Sequence, residues 1–231
     1  MEAIRAGRAR RVLVARGVHG TEGLRSLIDA AAASGLTIEE VERDVIERLG
    51  LRDHQGVGAV VAAPREIDDK GLAGLLFDPG ALVVVLDGIT DPQNLGACAR
   101  SAEVAGASLL VARKRRAAPL TAAAVRASAG ALLHLPVARV TNLSRSLEHL
   151  RDRGVFVVGL DQESPVDIYQ APDPSRPVAV VVGGEEAGIS RLVRESCDLL
   201  VAIPMAGRTG SLNASAALAA ALFGYILRVS R

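Results

Sequence analysis

The segment LVVVLDGITDPQNLGACAR, residues 82–100, joins an unbroken apolar run to a turn and then to a helical pattern. Five consecutive apolar residues at 82–86 are typical of a strand that is buried on both faces of a sheet. Asp91-Pro92 is a turn signal, and Asn94 is a residue type that caps helices. This strand, turn and helix together predict an α/β fold.

Four more apolar runs repeat this pattern along the rest of the chain. They occupy residues 108–112, 155–160, 178–183 and 199–203, with helical patterns at 94–106, 119–131, 143–153, 188–196 and 211–228. Alternating strands and helices predict a parallel sheet that is covered by helices. Ligands of such sheets bind at the carboxyl ends of the strands, so the loops after these runs form the candidate site.

Residues 1–66 carry a separate, smaller α/β pattern. It has apolar strands at 11–15 and 57–64 and helical patterns at 21–35 and 41–50, both of which end at glycine. Residues 67–80 mix charge with glycine and predict a linker that carries a short helix. The expected organisation is therefore a domain at 1–66, a linker at 67–80 and a domain at 81–231.

Composition and charge restrict the class of function. The chain is 49% hydrophobic and 23% charged, which is typical of a globular protein, and its 2% of aromatic residues leave little for base-stacking platforms. Residues 94–145 contain eight basic residues and one acid, whereas acids outnumber bases ten to five in residues 146–198. The basic region indicates either a polyanion-binding face or a solvated surface.

Several other classes of function find no support in the sequence. Cys98 and Cys197 match neither a metal-ligand spacing nor a disulfide framework. No signal peptide is recognisable, and no run of 18 uncharged apolar residues occurs. Neither the GxGxxG nor the GxxxxGK[ST] pattern is present, which disfavours a dinucleotide or P-loop enzyme. We expect a cytoplasmic protein with no metal and no membrane span.

Polar residues and glycines follow four of the predicted strands. Besides residues 87–100, these are Asp161-Gln162-Glu163, the loop GGEEAG at 183–188, and IPMAGRTGSLNAS at 203–215. Taken singly, each feature has an ordinary structural explanation, such as a tight turn, a helix cap or a surface charge. Because the carboxyl ends of parallel strands share one edge of the sheet, we expect all four loops to lie together.

Three of these loops resemble the motifs of a known family, the SpoU/TrmH-type RNA 2′-O-ribose methyltransferases of the SPOUT superfamily. The matching motifs are Asp91-Pro92-x-Asn94-x-Gly96-Ala-x-x-Arg100, Gly183-x-Glu185-x-x-Gly188-Ile189-Ser190 and Ile203-Pro204-Met205-x-Gly207-x-x-x-Ser211-Leu212-Asn213-x-Ser215. In addition, His54-Gln55-Gly56 before an apolar strand is similar to the substrate-binding domain of the RlmB-like members. The resemblance covers nearly the whole chain, and Glu186-Ala187 depart from it within the second motif.

The resemblance implies a fold and partners beyond the α/β pattern. The C-terminal domain would contain a deep trefoil knot, with the helix at 211–228 passing through a loop formed by the preceding strands. S-adenosylmethionine would bind in the knotted crevice, and two chains would form a homodimer in which each active site draws on both. The N-terminal domain would resemble ribosomal-protein RNA-binding folds and help to recognise the RNA.

The resemblance also implies roles for individual residues. The cofactor would contact Gly183, Ile203, Met205, Leu212, Thr141 and Leu160. The catalytic candidates are Arg100, Asn94, Glu185, Ser211 and Asn213. The residues expected to contact RNA phosphates are Arg113, Lys114, Arg115 and Arg116. A free guanidinium is a poor base, so we expect Arg100 to clamp the phosphate beside the target ribose, while that phosphate or water accepts the proton.

The implied function is S-adenosylmethionine-dependent 2′-O-methylation of a guanosine ribose in 23S ribosomal RNA. This is the activity of the RlmB-like enzymes, the subgroup of the family that the sequence resembles most. A tRNA methyltransferase and an antibiotic-resistance rRNA methyltransferase of the same family are the nearest alternatives. An RNA-binding assembly factor that has lost activity is a further alternative. A Rossmann oxidoreductase is disfavoured because its glycine pattern is missing.

Overall fold

The computed structural model of the chain describes residues 1–18, 20–49, 54–172, 177–185, 187–208 and 210–227. The chain divides into two units, Met1–Ala63 and Pro64–Arg231. The first unit contains α1 (Glu2–Arg5), β1 (Ala9–Ala15), α2 (Glu22–Ala33), β2 (Thr37–Val41), α3 (Arg43–Arg48) and β3 (Val57–Val61). The second unit contains β4 (Glu66–Ile67), α4 (Asp69–Ala73), β5 (Leu82–Asp87), α5 (Pro92–Val104), β6 (Leu109–Arg113), α6 (Ala122–Ala127), α7 (Ala131–His134), β7 (Val137–Val140), α8 (Leu143–Asp152), β8 (Phe156–Leu160), β9 (Val178–Gly183), α9 (Arg191–Glu195), β10 (Leu199–Val201) and α10 (Ala214–Ala221).

The first unit is built on a three-stranded sheet in the order β2-β1-β3, where β1 runs parallel to β2 and antiparallel to β3. One cluster of its buried core consists of Leu13, Ala15, Val41 and Ile46. The predicted helix at 41–50 is wrong at its start, because Val41 ends a strand and α3 begins at Arg43. The predicted end of that helix, Gly50, lies outside the described residues. β2 exposes four of its five residues, so no apolar run marks it in the sequence.

The second unit is built on a parallel sheet in the order β10-β8-β9-β5-β6-β7-β4. Every residue of the central strands β5 and β9 is buried. Along β5, Val84 belongs to one apolar cluster, and its neighbours Val83 and Val85 belong to another, so both faces of the sheet are covered. The predicted α/β fold with a parallel sheet is confirmed, and burial on both faces explains the unbroken apolar runs.

The structure differs from the prediction at the helical pattern 119–131 and in the segment that follows it. The predicted helix at 119–131 corresponds to α6, which ends at Ala127, and a second helix, α7, begins at Ala131, because Ala129 and Gly130 adopt positive φ angles of 50° and 92° and end the helical path. The strand β7 is absent from the prediction. It is only four residues long and includes Arg139, whose guanidinium donates to the carbonyl oxygen of Ala118 at 2.9 Å.

The predicted linker at 67–80 is part of the second unit. Ile67 pairs with Ala138 in the sheet as the last residue of β4, and α4 packs against β7 and α8. The Asp68 carboxylate caps α4 by accepting a hydrogen bond from the amide of Gly71 at 2.8 Å. The short helix expected in this segment is therefore present, and it packs against the sheet and α8 of the second unit.

The last helix, α10, begins at Ala214 rather than at residue 211 and continues as a π-helical turn over Leu222–Ile226. Tyr225 is fully buried in this turn, and its hydroxyl donates to the carbonyl oxygen of Pro172. α10 packs against α5, β8 and β9. Across the described ranges, no helix combines the length and apolar character that a membrane crossing requires.

Candidate active site

The loops that follow β8, β9 and β10 line a crevice of about 260 Å³ at the carboxyl edge of the sheet, called the first crevice. Its lining consists of residues 160–163, 182–185 and 187–189, with Arg194, Val201, Ile203, Met205, Ser211, Leu212, Ala214 and Ala217. The structure thus brings together the predicted cofactor residues Leu160, Gly183, Ile203, Met205 and Leu212. The apolar side chains come from the ends of β8, β9 and β10 and from the segments that follow β9 and β10, whereas the polar ones come mainly from the loop after β8.

Gly183 is required by a close approach of two backbone segments. A Cβ atom built on it would lie 1.9 Å from the carbonyl carbon of Gly188 and 2.1 Å from its oxygen. Gly188 closes the loop by donating its amide to the carbonyl of Gly184 at 2.8 Å and adopts a φ of +60°. Residues 184–185 and 187–188 therefore form a tight backbone wall of the first crevice.

Three of the predicted catalytic residues form one hydrogen-bond network. The Asn94 side-chain amide donates to Oε1 of Glu185 at 2.8 Å. The Asn213 amide donates to the same oxygen and, at 3.0 Å, to Oδ1 of Asn94. These contacts tie the beginnings of α5 and α10 to the loop after β9, so three elements far apart in sequence are fixed at one point.

The helix caps at this point differ from the prediction. Asp91, not Asn94, caps α5, since its carboxylate accepts from the amides of Gln93 and Asn94 at 3.2 Å each. Asn213, not Ser211, caps α10. Ser211 therefore lies before the cap of α10, and it lines the first crevice.

Arg100 is not part of this hydrogen-bond network. It lies six residues after Asn94 on α5 and is exposed, whereas its neighbour Ala99 is fully buried. Among the described residues, Arg100 is not part of the lining of the first crevice. The helical period of 3.6 residues explains this placement, because a separation of six residues turns the side chain well away from the face of Asn94.

Asp87, at the end of β5, is a buried acid that joins three elements. Its side chain is 3% exposed, and its Oδ2 accepts from the amide of Ser190 at 2.7 Å. Its Oδ1 pairs with the Arg113 guanidinium at 2.8 Å, and the same Nη2 donates to the Ser190 hydroxyl at 3.0 Å. The sequence prediction missed Asp87, although its position directly after a buried strand was a usable signal.

This arrangement corrects the predicted basic patch. Arg113 is held by Asp87 and is only 35% exposed, so it is a structural residue and not a free phosphate ligand. Lys114, Arg115 and Arg116 are exposed, as expected of an RNA-contacting surface. The patch that remains available to a polyanion therefore consists of residues 114–116.

A second crevice of about 510 Å³ lies next to the first. It is lined by residues 87–91, 184–185 and 187–188, with Asn94, Arg113, Arg116 and Ser190. Gly184, Glu185, Ala187 and Gly188 line both crevices and form the wall between them. Arg100 is not part of this lining either, within the described portion of the chain.

Thr141 lies away from both crevices, in contrast to its predicted cofactor role. Its amide and hydroxyl donate to the Asp69 carboxylate at 3.0 and 2.9 Å, which ties the end of β7 to α4. β7 is three strands from β9 in the sheet, and neighbouring strands are about 4.8 Å apart, so Thr141 is roughly 14 Å from the Gly183 loop. Its contacts are those of a structural residue.

An ion-pair cluster borders the first crevice on the side of β8. Arg194 pairs with the Asp161 carboxylate at 3.1 Å and with Glu163 at 3.3 Å. Asp161 is 7% exposed at its side chain, whereas Glu163 is 81% exposed. All three residues line the crevice, which places buried and exposed carboxylates along one of its walls.

The thiols take no part in either crevice. Burial raises the pKa of Cys98, on the inner face of α5, to about 12. Burial also raises the pKa of Cys197 to about 12, with a smaller contribution from the charge of Asp198. Both thiols therefore stay protonated at neutral pH and are poor nucleophiles. Among the described residues, no group of three or more His, Cys, Asp or Glu side chains is arranged to hold a metal ion.

Two family models match the chain. Residues 81–223 match the SpoU rRNA Methylase family, and residues 1–67 match the RNA 2′-O ribose methyltransferase substrate-binding family. A Bacillus subtilis protein, YacO, which is named as a TrmH family tRNA/rRNA methyltransferase, is 43% identical over 195 residues, 84% of this chain and 78% of its own length. A Mycobacterium ulcerans protein, named as an uncharacterized tRNA/rRNA methyltransferase, is 46% identical over 220 residues, 94% of this chain and 71% of its own.

Solved structures with the same architecture include two that contain S-adenosylmethionine. The SpoU methyltransferase AviRb of Streptomyces viridochromogenes, in complex with this cofactor, superposes with a TM-score of 0.79 at 29% identity and covers 100% of this chain and 87% of its own. An rRNA methyltransferase of Sinorhizobium meliloti with the cofactor bound superposes with a TM-score of 0.76 at 27% identity. The match covers 96% of this chain and 81% of that protein's chain.

Proposed function

The chain belongs to the SpoU rRNA methylase family, and on that premise we propose that it transfers a methyl group from S-adenosylmethionine to a ribose 2′-hydroxyl of 23S ribosomal RNA. Membership of the family makes it an RNA methyltransferase that depends on this cofactor. The observation that supports the proposal best is the joint placement of Asn94, Glu185 and Asn213 beside the first crevice. The choice of 23S rRNA, and of guanosine, rests on the RlmB-like motifs and on the N-terminal substrate-binding match at residues 1–67.

The lining of the first crevice offers groups that suit parts of S-adenosylmethionine. Ile203, Met205 and Leu212 offer an apolar surface to an adenine ring, while the exposed carboxylate of Glu163 offers an acceptor to ribose hydroxyls. Gly183 lets the backbone of the 184–188 loop pass close by without a side chain in the way. When bound, the cofactor supplies a methyl group that is already a strong electrophile because it is attached to a positively charged sulfur.

The main task of the protein is therefore to hold the RNA hydroxyl in line with that methyl group. The network of Asn94, Glu185 and Asn213 serves this task by locking three loops together at the wall between the crevices. One oxygen of Glu185 is occupied by two amides, which favours a positioning role for this carboxylate over a role as base. The Ser211 hydroxyl lines the first crevice and is available to contact the substrate hydroxyl.

We propose that Arg100 acts across a homodimer. It is exposed and outside both crevices of its own chain, which is consistent with a site that draws on two chains. Exposed apolar residues support such a dimer, because Val104 on α5 is 63% exposed and Phe223 after α10 is 47% exposed. In this proposal Arg100 binds the phosphate beside the target ribose, and that phosphate or water takes the proton of the hydroxyl.

A lysine substitution at Arg100 tests the bidentate phosphate clamp. We expect R100K to lower kcat about tenfold or more, because an ammonium group cannot make the paired hydrogen bonds of a guanidinium. Cofactor affinity by calorimetry should stay unchanged, since Arg100 does not line the first crevice of its chain. Arg126→Lys, an exposed change on α6, is the matched control. Near-full turnover by R100K would rule out the clamp.

We also propose that the C-terminal part of the second unit forms the trefoil knot of the family. β9 lies between β8 and β5 although β8 precedes it in the chain, and β10 then lies on the far side of β8. The chain returns from β10 so that α10 packs against α5. The small side chains of Ala214–Ala221 allow the close packing that a threaded helix needs.

Mapping of ribose methylation tests the proposed substrate. Ribose methylation is mapped on ribosomal RNA and on tRNA from cells with and without this protein. We expect one 2′-O-methyl group in 23S rRNA to be missing in cells that lack the protein. Addition of the purified protein and S-adenosylmethionine to that RNA should restore the methyl group. A lost methyl group in tRNA would instead support the tRNA alternative. The proposal involves no metal ion and no membrane, and it places the enzyme in the cytoplasm with its RNA.

A further inference from the structure

Asp87, at the end of β5, holds both ends of the loop that joins β9 to α9. Its main-chain carbonyl oxygen accepts from the amide of Gly184 at 2.9 Å, where this loop begins. Its carboxylate Oδ2 accepts from the amide of Ser190 at 2.7 Å, where the loop ends and α9 begins. The described residues of this loop, 184–185 and 187–190, are called the wall loop. One buried residue thus fixes the wall loop at its beginning and at its end.

The wall loop carries groups on which the proposed site depends. Residues 184–185 and 187–188 line both crevices. Oε1 of Glu185 accepts from the side-chain amides of Asn94 and Asn213, and so connects the wall loop to the beginnings of α5 and α10. A displacement of the loop end at Ser190 would therefore move the wall of the first crevice and the oxygen that holds these two helices.

The contacts of Asp87 require a carboxylate and not merely a side chain of its shape. Oδ1 pairs with Nη2 of Arg113 at 2.8 Å, while Oδ2 accepts from the Ser190 amide, so each oxygen has its own donor. An amide of the same size has one acceptor and one donor, so Asp87→Asn loses one of the two contacts. The remaining oxygen would turn to Arg113, because a hydrogen bond from a charged donor is the stronger one.

We infer that Asp87 is a positioning residue for methyl transfer, which acts through the Ser190 amide and the wall loop on Glu185. The inference rests on the proposed function and adds to it a residue that acts through another. Within the described residues, Asp87 does not line the first crevice, so its effect does not require a contact with the cofactor. Its carboxylate is only 3% exposed and stays with its two donors in the protein interior.

Kinetics of D87N with unmodified ribosomal RNA, purified from cells that lack the protein, test this inference. We expect kcat to fall about tenfold to a hundredfold, since a displacement of about 1 Å near a reacting centre costs on the order of a hundredfold. S-adenosylmethionine affinity by calorimetry should change by less than about threefold, which marks an interaction that matters mainly in the transition state. The packing of Gly183 on Gly188, at the beginning of the wall loop, is untouched by this change.

Asp198→Asn is the matched control, because Asp198 makes the same two kinds of contact at the opposite edge of the sheet. Its Oδ1 pairs with Nε of Arg151 at 2.9 Å, and its Oδ2 accepts from the amide of Val157 at 2.9 Å, near the start of β8. We expect both D87N and D198N to lower Tm, but only D87N to lower kcat. Equal kcat values of the two variants would overturn the inference and leave Asp87 with a role in stability alone.

The double variant D87N/R113M tests the route through the Ser190 amide. Without the guanidinium, the side-chain oxygen at position 87 is free to accept from Ser190, so most of the kcat lost in D87N should return. Thermal unfolding of the same samples shows that each variant is folded at the assay temperature. A folded double variant that is as slow as D87N would overturn the inference, because the loop end would then not depend on this hydrogen bond.

The wild-type protein separates this inference from the proposed function. If it neither binds S-adenosylmethionine nor methylates the RNA, the proposed function fails and the inference fails with it. If wild type is active and D87N keeps the same kcat, the inference alone is overturned.

Discussion

Gly183→Ala is expected to abolish S-adenosylmethionine binding and methyl transfer while the central strands stay folded. The added Cβ would lie 1.9 Å from the Gly188 carbonyl carbon and 2.1 Å from its oxygen. Both contacts are with main-chain atoms, so no change of rotamer relieves them, and the loop at 184–188 must move. A displacement of about 1 Å at a reacting site costs on the order of a hundredfold in rate, so we expect at least that loss of methyl transfer in addition to the loss of cofactor binding.

Calorimetric titration of the cofactor and thermal unfolding of the same sample measure both parts of this result. We expect a stability loss of about 1–3 kcal/mol, as for other overpacked sites, together with the loss of binding. Gly80→Ala is the control, because a Cβ added there would have no atom within 4 Å and the φ of Gly80 lies outside the left-handed region. Tight cofactor binding by G183A would show that the first crevice is not the cofactor site.

Asp87→Ala is expected to cause the largest loss of stability among single changes near the site. Removal of one partner from a buried ion pair costs about 3–5 kcal/mol, and we expect the lower end because the Arg113 side chain is 35% exposed. The change also leaves the part-buried Ser190 amide without its acceptor. For a chain of this size, a loss of about 3 kcal/mol corresponds to a fall in Tm of roughly 6–12 °C.

A double-mutant cycle with Arg113→Ala separates the ion pair from other effects. We expect the D87A/R113A protein to be less destabilised than the sum of the two single changes, because the unmatched charge is removed. Glu103→Ala, an exposed acid on α5, should change stability by no more than about 0.5 kcal/mol. Additive losses in urea unfolding would mean that Asp87 and Arg113 are not coupled.

The central part of the fold was predictable because burial on both faces leaves a clear mark in the sequence. The apolar run at 82–86 is the strand β5, which extends one residue further to Asp87. The run at 178–183 coincides with β9 at both ends. β2 and β7 leave no such mark, since β2 is mostly exposed and β7 is short and contains a charge. Single-sequence patterns therefore find the interior of a sheet more readily than its periphery.

The site was predictable to the extent that it follows from the shared carboxyl edge of parallel strands. That rule brought Gly183, Ile203 and Leu212 together without knowledge of the strand order. The position of Thr141 depends on the strand order, and the sequence does not reveal that β5 and β6 lie between β7 and β9. The pairing of Asp87 with Arg113 likewise depends on β5 and β6 being neighbours.

The strand order also has a consequence for how the polypeptide matures. β5, β6 and β7 are consecutive in the chain and adjacent in the sheet, so they can associate early, whereas β9 must insert between β5 and β8. Synthesis proceeds at about 5–20 residues per second, so the segment from Val178 onward leaves the ribosome several seconds after these strands. Because both crevices share a wall that begins at Gly184, a nascent chain acquires its ligand-binding ability only late in folding.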